Sequence, residues 1–135
     1  MQKIFTINTN GAGLYEFTDD ARRWIKAEGL VTLFVKHTSA SLLIQENAAP
    51  EVKDDLNEFF HRLVPHITDP SMSYLRHTYE GPDDMPAHIK SSLLPSHLSI
   101  PISKGELLIG RWQGIYLFEH RNVKRTRHVV GHISM

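Results

Sequence analysis

The sequence predicts one small domain that mixes strands with helices, and three observations carry that expectation. The chain has 135 residues, a length that suits a single domain able to bury roughly two-thirds of its unfolded surface. Apolar residues recur at helical spacing between Pro50 and Leu63, whereas the C-terminal half shows short runs at strand spacing separated by Gly, Pro and charged turns. No repeat, low-complexity tract or shift in composition divides the chain, so residues 1–135 are read as one domain.

Taken in order, Lys3 to Asn8 reads as a first strand. Thr18 then caps a helix whose first turn carries Asp19 and Asp20 at the positive end of its dipole, with Ala21, Trp24 and Ile25 facing the core and Gly29 ending it. Leu30 to Lys36 is nearly all apolar and includes the β-branched Val31, Thr32 and Val35, which predicts a central strand covered on both faces. Leu42 to Gln45 resumes the extended pattern. From Pro50 to Leu63 the residues Val52, Leu56, Phe59, Phe60 and Leu63 form one helical stripe, with Pro50 in the first turn, Asn47 or a neighbour as cap, and Pro65 as the stop. Pro86 to Leu94 predicts a short helix with Ile89, Leu93 and Leu94 inward, Asp84 as cap and His88 in the first turn, where the dipole disfavours imidazolium. Ser99–Ile102, Glu106–Gly110, Gly114–His120 and Arg127–Ile133 follow as four strands.

Fifteen basic and fifteen acidic residues cancel at neutral pH, which argues against non-specific attraction to nucleic acid or an anionic membrane. Arg121, Lys124, Arg125 and Arg127 make a local basic stretch, read as a solvated strand connection because no aromatics interleave with it. With no cysteine, any metal must be held by histidine or oxygen. No run approaches the ~20 apolar residues of a membrane span and no signal peptide is visible, so the cytoplasm is the expected location.

The run from His77 to His88 concentrates the chemistry, with two imidazoles, the carboxylates of Glu80, Asp83 and Asp84, and the stiffening residues Gly81, Pro82 and Pro86. Asp83 and Asp84 either hold a divalent ion and a diphosphate or cap the following helix. A polar cluster of His37, Thr38, Ser39 and Ser41 follows the apolar strand before it. Further on, strand alternation places Glu119 beside Ile115 and Leu117, where an inward carboxylate needs a cationic, hydrogen-bonding or metal partner. His61 and His66, at the end of the long helix, read as surface residues, and His97, His128 and His132 as ordinary ones. A covalent serine mechanism is disfavoured because Ser39 and Ser41 lack the Gly-x-Ser-x-Gly elbow.

Three segments together, His37-Thr38-Ser39-Ala40-Ser41, Glu80 to His88, and Gly110 to His120, resemble the YjbQ-like family, also called the secondary thiamine-phosphate synthase family. The resemblance spans nearly the whole chain. One departure is Arg111, in the phrase Gly110-Arg111-Trp112-Gln113, where such proteins often have threonine. The resemblance implies an α+β domain with a β-sandwich-like core of mixed or antiparallel sheet and flanking helices, assembled as a homotrimer. It also implies a histidine-lined metal or anion site and a weak thiamine phosphate synthase activity.

On that basis His37, His77 and His88 are the expected metal ligands, with His120 next in line, for zinc or magnesium. Thr38, Ser39, Ser41, Asn47, Arg111, Trp112 and Gln113 are expected to bind a small phosphorylated metabolite. His37, His88, Asp84 and Glu119 are the expected catalytic set, with Glu119 and Asp84 orienting the histidines. The implied reaction is alkyl transfer with loss of diphosphate, and the alternative is a non-catalytic trimeric protein that binds a metabolite or metal.

Overall fold

A computed structural model describes residues 1–135 as two antiparallel sheets and three α-helices. The strands are β1 (Gln2–Asn10), β2 (Gly13–Glu16), β3 (Gly29–Val35), β4 (Ala40–Glu46), β5 (His97–Ser103), β6 (Glu106–Leu107), β7 (Gln113–Glu119) and β8 (Lys124–Ser134). The helices are α1 (Thr18–Trp24), α2 (Pro50–Leu63) and α3 (Asp84–Leu93). One sheet runs β1-β8-β3-β5-β6 and the other β2-β7-β4. The expected α+β class holds, and the sheets are purely antiparallel rather than mixed.

Alternation along each strand builds the core between the sheets. Phe5, Val31, Leu33, Val35, Ile100, Val129 and Ile133 of the larger sheet meet Leu42, Ile115 and Leu117 of the smaller one, and α1 adds Ala21. The other face of the small sheet offers Leu14, Tyr116 and Phe118 to Leu56 and Phe60 of α2 and to Leu94 beyond α3. The order of layers is therefore large sheet, small sheet, then α2 and α3.

Several expectations change. β3 is central, between β8 and β5, yet it is covered on one face only: Leu30 and Phe34 are exposed, as is Ile4 on the same side, opposite Val130. No helix crosses that face, so apolar composition along β3 reflects an open surface as well as a core. Gly29 does not end α1, which stops at Trp24. It opens β3 instead, at φ +135°, where a Cβ would stand 2.2 Å from the Ser134 carbonyl oxygen. The tight lateral approach of β8 needs a residue without a side chain.

α2 has the predicted limits, but Phe59 and Leu63 of its stripe remain exposed, and Ala49 rather than Asn47 is its cap residue. α3 begins two residues before the prediction, so His88 lies two residues, about half a turn, further in than expected. Its buried positions are Asp84, Pro86, Ala87 and Lys90, while Leu93 is exposed. β2 and the turn at Pro70–Met72 were not anticipated, and β6 is shorter than its predicted run.

Candidate metal centre

α3 and the segment before it place the histidines. Asp84 and His88 are four residues apart on a helix, which brings both side chains to one side of α3. His88 Nε2 lies 3.3 Å from Asp84 Oδ2, and His77 Nε2 lies 2.8 Å from the same oxygen. The three ligand atoms sit within 4.8 Å of one another. His77 Nε2 also lies 2.9 Å from Glu80 Oε2, and its ring packs edge-on against Tyr79 at 4.6 Å.

Hydrogen bonding fixes how these rings face. His88 Nδ1 is 2.9 Å from the Thr38 carbonyl oxygen, which can only accept, so Nδ1 carries the proton. The Nε2 lone pair of the neutral ring then points at Asp84 Oδ2, an acceptor facing an acceptor. Such a contact calls for a proton or a cation between them. His77 Nε2 stands between two carboxylates, so without a cation it holds the proton that a metal would displace.

Arg121 braces the whole arrangement. Its Nε donates to Asp83 Oδ2 at 3.1 Å, Nη1 to Asp84 Oδ1 at 2.8 Å and Nη2 to the Glu80 carbonyl at 2.9 Å. Gly81 makes the turn between them at φ +111°. Burial raises the Asp84 carboxyl, but His77, His88 and Arg121 outweigh it and hold it below its ordinary value. Asp83 is held low in the same way: burial is opposed by the Asn122 backbone N–H and by Arg121.

The remaining expected residues divide. His37 stands apart from the pair: its Nε2 accepts from the His128 backbone N–H at 2.9 Å, and its ring stacks on His128. Burial, then the Arg127 charge, lowers its pKa. His120 is buried, with Nε2 2.9 Å from Ser41 Oγ and Nδ1 without a partner, and burial drives its pKa down to about 3. Neither ring shares the cluster of His77 and His88.

Glu119 is inward as alternation requires, but it orders arginine rather than histidine: Arg127 donates to it through Nε at 2.8 Å and Nη2 at 2.5 Å, and Thr9 through its hydroxyl at 2.6 Å. Arg127 also donates to Ser39 Oγ at 2.9 Å. Two members of the supposed solvated basic stretch, Arg121 and Arg127, are thus buried in ion pairs.

The expected phosphate-binding residues fall at opposite ends of the β4–β7 pair. Thr38, Ser39 and Ser41 lie near Ala40, which pairs with Glu119. Asn47 and Arg111 to Gln113 lie beyond Glu46, which pairs with Gln113, a separation of about 20 Å at strand rise. There Arg111 rests on the exposed Trp112 ring at 4.8 Å, Asn47 donates to Glu16 at 3.0 Å and Gln113 accepts from Gly110 N at 2.6 Å.

Sequence reasoning notes Glu80 without giving it a role of its own, and misses the bracing role of Arg121 and the burial of Lys90. The Asp84–His88 spacing of four was the readable signal for the pair. Lys90 gave none. Its side chain is buried on α3, and burial lowers its pKa against the pull of Asp83.

A two-sheet antiparallel α+β domain carrying a histidine–carboxylate cluster at the start of its third helix is the class that fold and site define. The chain belongs to the UPF0047 YjbQ-like family, whose model matches residues 3–135. It is 46% identical to a UPF0047 protein of Synechocystis sp. over 98% of this chain and 90% of that one. It is 40% identical to UPF0047 protein YjbQ of Escherichia coli O157:H7, over 96% and 94%. Among solved structures, a conserved hypothetical protein of Thermus thermophilus superposes with a TM-score of 0.85 at 32% identity, covering 98% of this chain and 99% of that one. A YjbQ/UPF0047 protein of Clostridium acetobutylicum gives 0.84 at 29% identity, over 98% and 99%.

Proposed function

We propose that this protein is a divalent-cation-dependent enzyme acting on a small molecule, with His77, Asp84 and His88 as the ligands. The observation that carries the reading is the His88 tautomer: the Thr38 carbonyl fixes Nδ1–H and leaves Nε2 facing Asp84 Oδ2. Two imidazoles and one carboxylate suit zinc better than magnesium, which prefers an all-oxygen shell. Asp84 joins the ligands here instead of only orienting them, and His37 drops out of the set.

The substrate class follows from the family resemblance, a small phosphorylated metabolite. In the implied reaction the methylene carbon of a pyrimidine diphosphate bonds to a thiazole phosphate nitrogen as its bond to oxygen breaks and diphosphate departs, and the cation would offset charge on the leaving group. Around it, Arg121 keeps Asp84 ionised and aimed, and Thr38 keeps His88 in its binding tautomer. Homotrimer formation is part of the same reading, supported by the uncovered apolar residues Ile4, Leu30 and Phe34 on the large sheet.

The test is metal content. Freshly purified protein should carry about one zinc per chain, and the double substitution His77→Ala with His88→Ala should abolish it while circular dichroism stays unchanged. Unchanged metal content in that variant would assign the rings to structure. Thiamine phosphate formation no faster than the protein-free rate, with zinc supplied, would remove the alkyl-transfer step alone.

A further inference from the structure

We propose a second activity at the same centre: hydrolysis of an uncharged carboxylic ester or lactone, with Glu80 as the base that accepts the proton of the attacking water. This rests on the cation reading above and adds to it. Glu80 is the carboxylate that reading leaves without a task. Asp84 is enclosed, its side chain 5% exposed and tied to Arg121, whereas the Glu80 side chain is 57% exposed on the solvent side of His77. The Glu80 backbone is fixed, because its carbonyl accepts from Arg121 and Gly81 turns the chain next to it. Its Oε2 stands beside the ligand atoms with solvent access, 2.9 Å from His77 Nε2.

Displacement of diphosphate by a ring nitrogen moves no proton onto the protein and needs no such base. Hydrolysis does. The charge balance lets the centre take an uncharged substrate as well: Asp84 and Glu80 together offset both charges of a divalent cation, and the guanidinium that touches the site has Nε, Nη1 and Nη2 already engaged. An uncharged carbonyl meets no penalty there, and the exposed Tyr79 ring beside His77 offers it an apolar wall. A serine route is closed, since Ser39 and Ser41 are buried and bonded to Arg127 and His120.

The step balances with water as co-reactant. One water O–H bond breaks and its proton passes to Glu80 Oε2, while the water oxygen bonds to the acyl carbon. The acyl C–O bond then breaks, and the departing alkoxide takes the proton back from Glu80. The bound cation would polarise the carbonyl.

The experiment uses zinc-loaded protein, phenyl acetate as substrate and acetohydroxamic acid as a non-reacting probe whose hydroxyl proton Glu80 would accept. Wild type should hydrolyse the ester in a zinc-dependent manner. Glu80→Gln should still take up one zinc per chain by calorimetry, yet lose about 100-fold or more in rate and bind the hydroxamate about tenfold or more weakly. If wild type takes up zinc but hydrolyses no faster than His77→Ala, or if Glu80→Gln matches wild type in rate or hydroxamate affinity, the inference is overturned and the cation site stands. If wild type takes up no zinc, both fall together.

Discussion

Acid should unfold this protein through one imidazole in particular. His120 is buried beneath the helices, its ring 4.6 Å from Phe118, with one nitrogen near Ser41 and the other unpartnered. Protonating it would place a charge where Lys90 and Arg127 already oppose one, and its pKa falls from 6.5 to about 3. The folded state therefore binds this proton less readily than the unfolded chain does. Stability from the neutral ring is full above the unfolded pKa and is lost as pH falls from there toward the folded value. Between pH 7 and pH 5 the loss is about 2 kcal/mol, since only the ~1.5 pH units below the unfolded value of 6.5 contribute, each worth ~1.4 kcal/mol. Urea unfolding of wild type and of His120→Gln at both pH values, at one protein concentration, measures it. Gln cannot titrate, so the difference between the two proteins should change by about 2 kcal/mol across that interval. An unchanged difference would mean that the ring takes up its proton as readily in the fold as in the unfolded chain, and the burial argument would fail.

Two further outcomes follow from geometry. Glu119→Gln should destabilise by about 3–5 kcal/mol in chemical denaturation, because Arg127 keeps a buried charge without its partner. Replacing both, Glu119→Leu with Arg127→Met, should recover much of that loss. Gly29→Ala should cost about 2 kcal/mol or more, since a Cβ cannot fit 2.2 Å from the Ser134 oxygen and the backbone there is left-handed. A melting temperature equal to wild type would show that β8 can shift its end without penalty.

The sequence was most informative where one interaction dominates. The limits of α2 were readable because proline and a regular apolar stripe both specify them, and inward Glu119 followed from alternation alone. Reading failed where long-range contacts decide. An apolar β3 looks the same whether its second face is covered or open, and only the layer order separates the two cases. Lys90 was unreadable because a lysine on a short helix is nearly always solvated, and its burial depends on how α3 sits over the small sheet. The family resemblance implies His37 as a ligand, yet neighbouring β8 supplies a backbone N–H that claims its nitrogen. Asp84 is open to two readings in the sequence, ion-holding carboxylate or helix cap, because aspartate before a helix so often is a cap. Its spacing from His88 held the other meaning all along.

Arg121 comes from the connection after β7, whereas Asp83, Asp84 and the Glu80 carbonyl come from the segment entering α3. One planar group thereby rivets two distant stretches of chain into a single platform. A visiting molecule would find the imidazoles already aligned, with little freedom left to surrender on arrival. Shortening that riveting side chain should make the platform floppy before it makes the domain unfold.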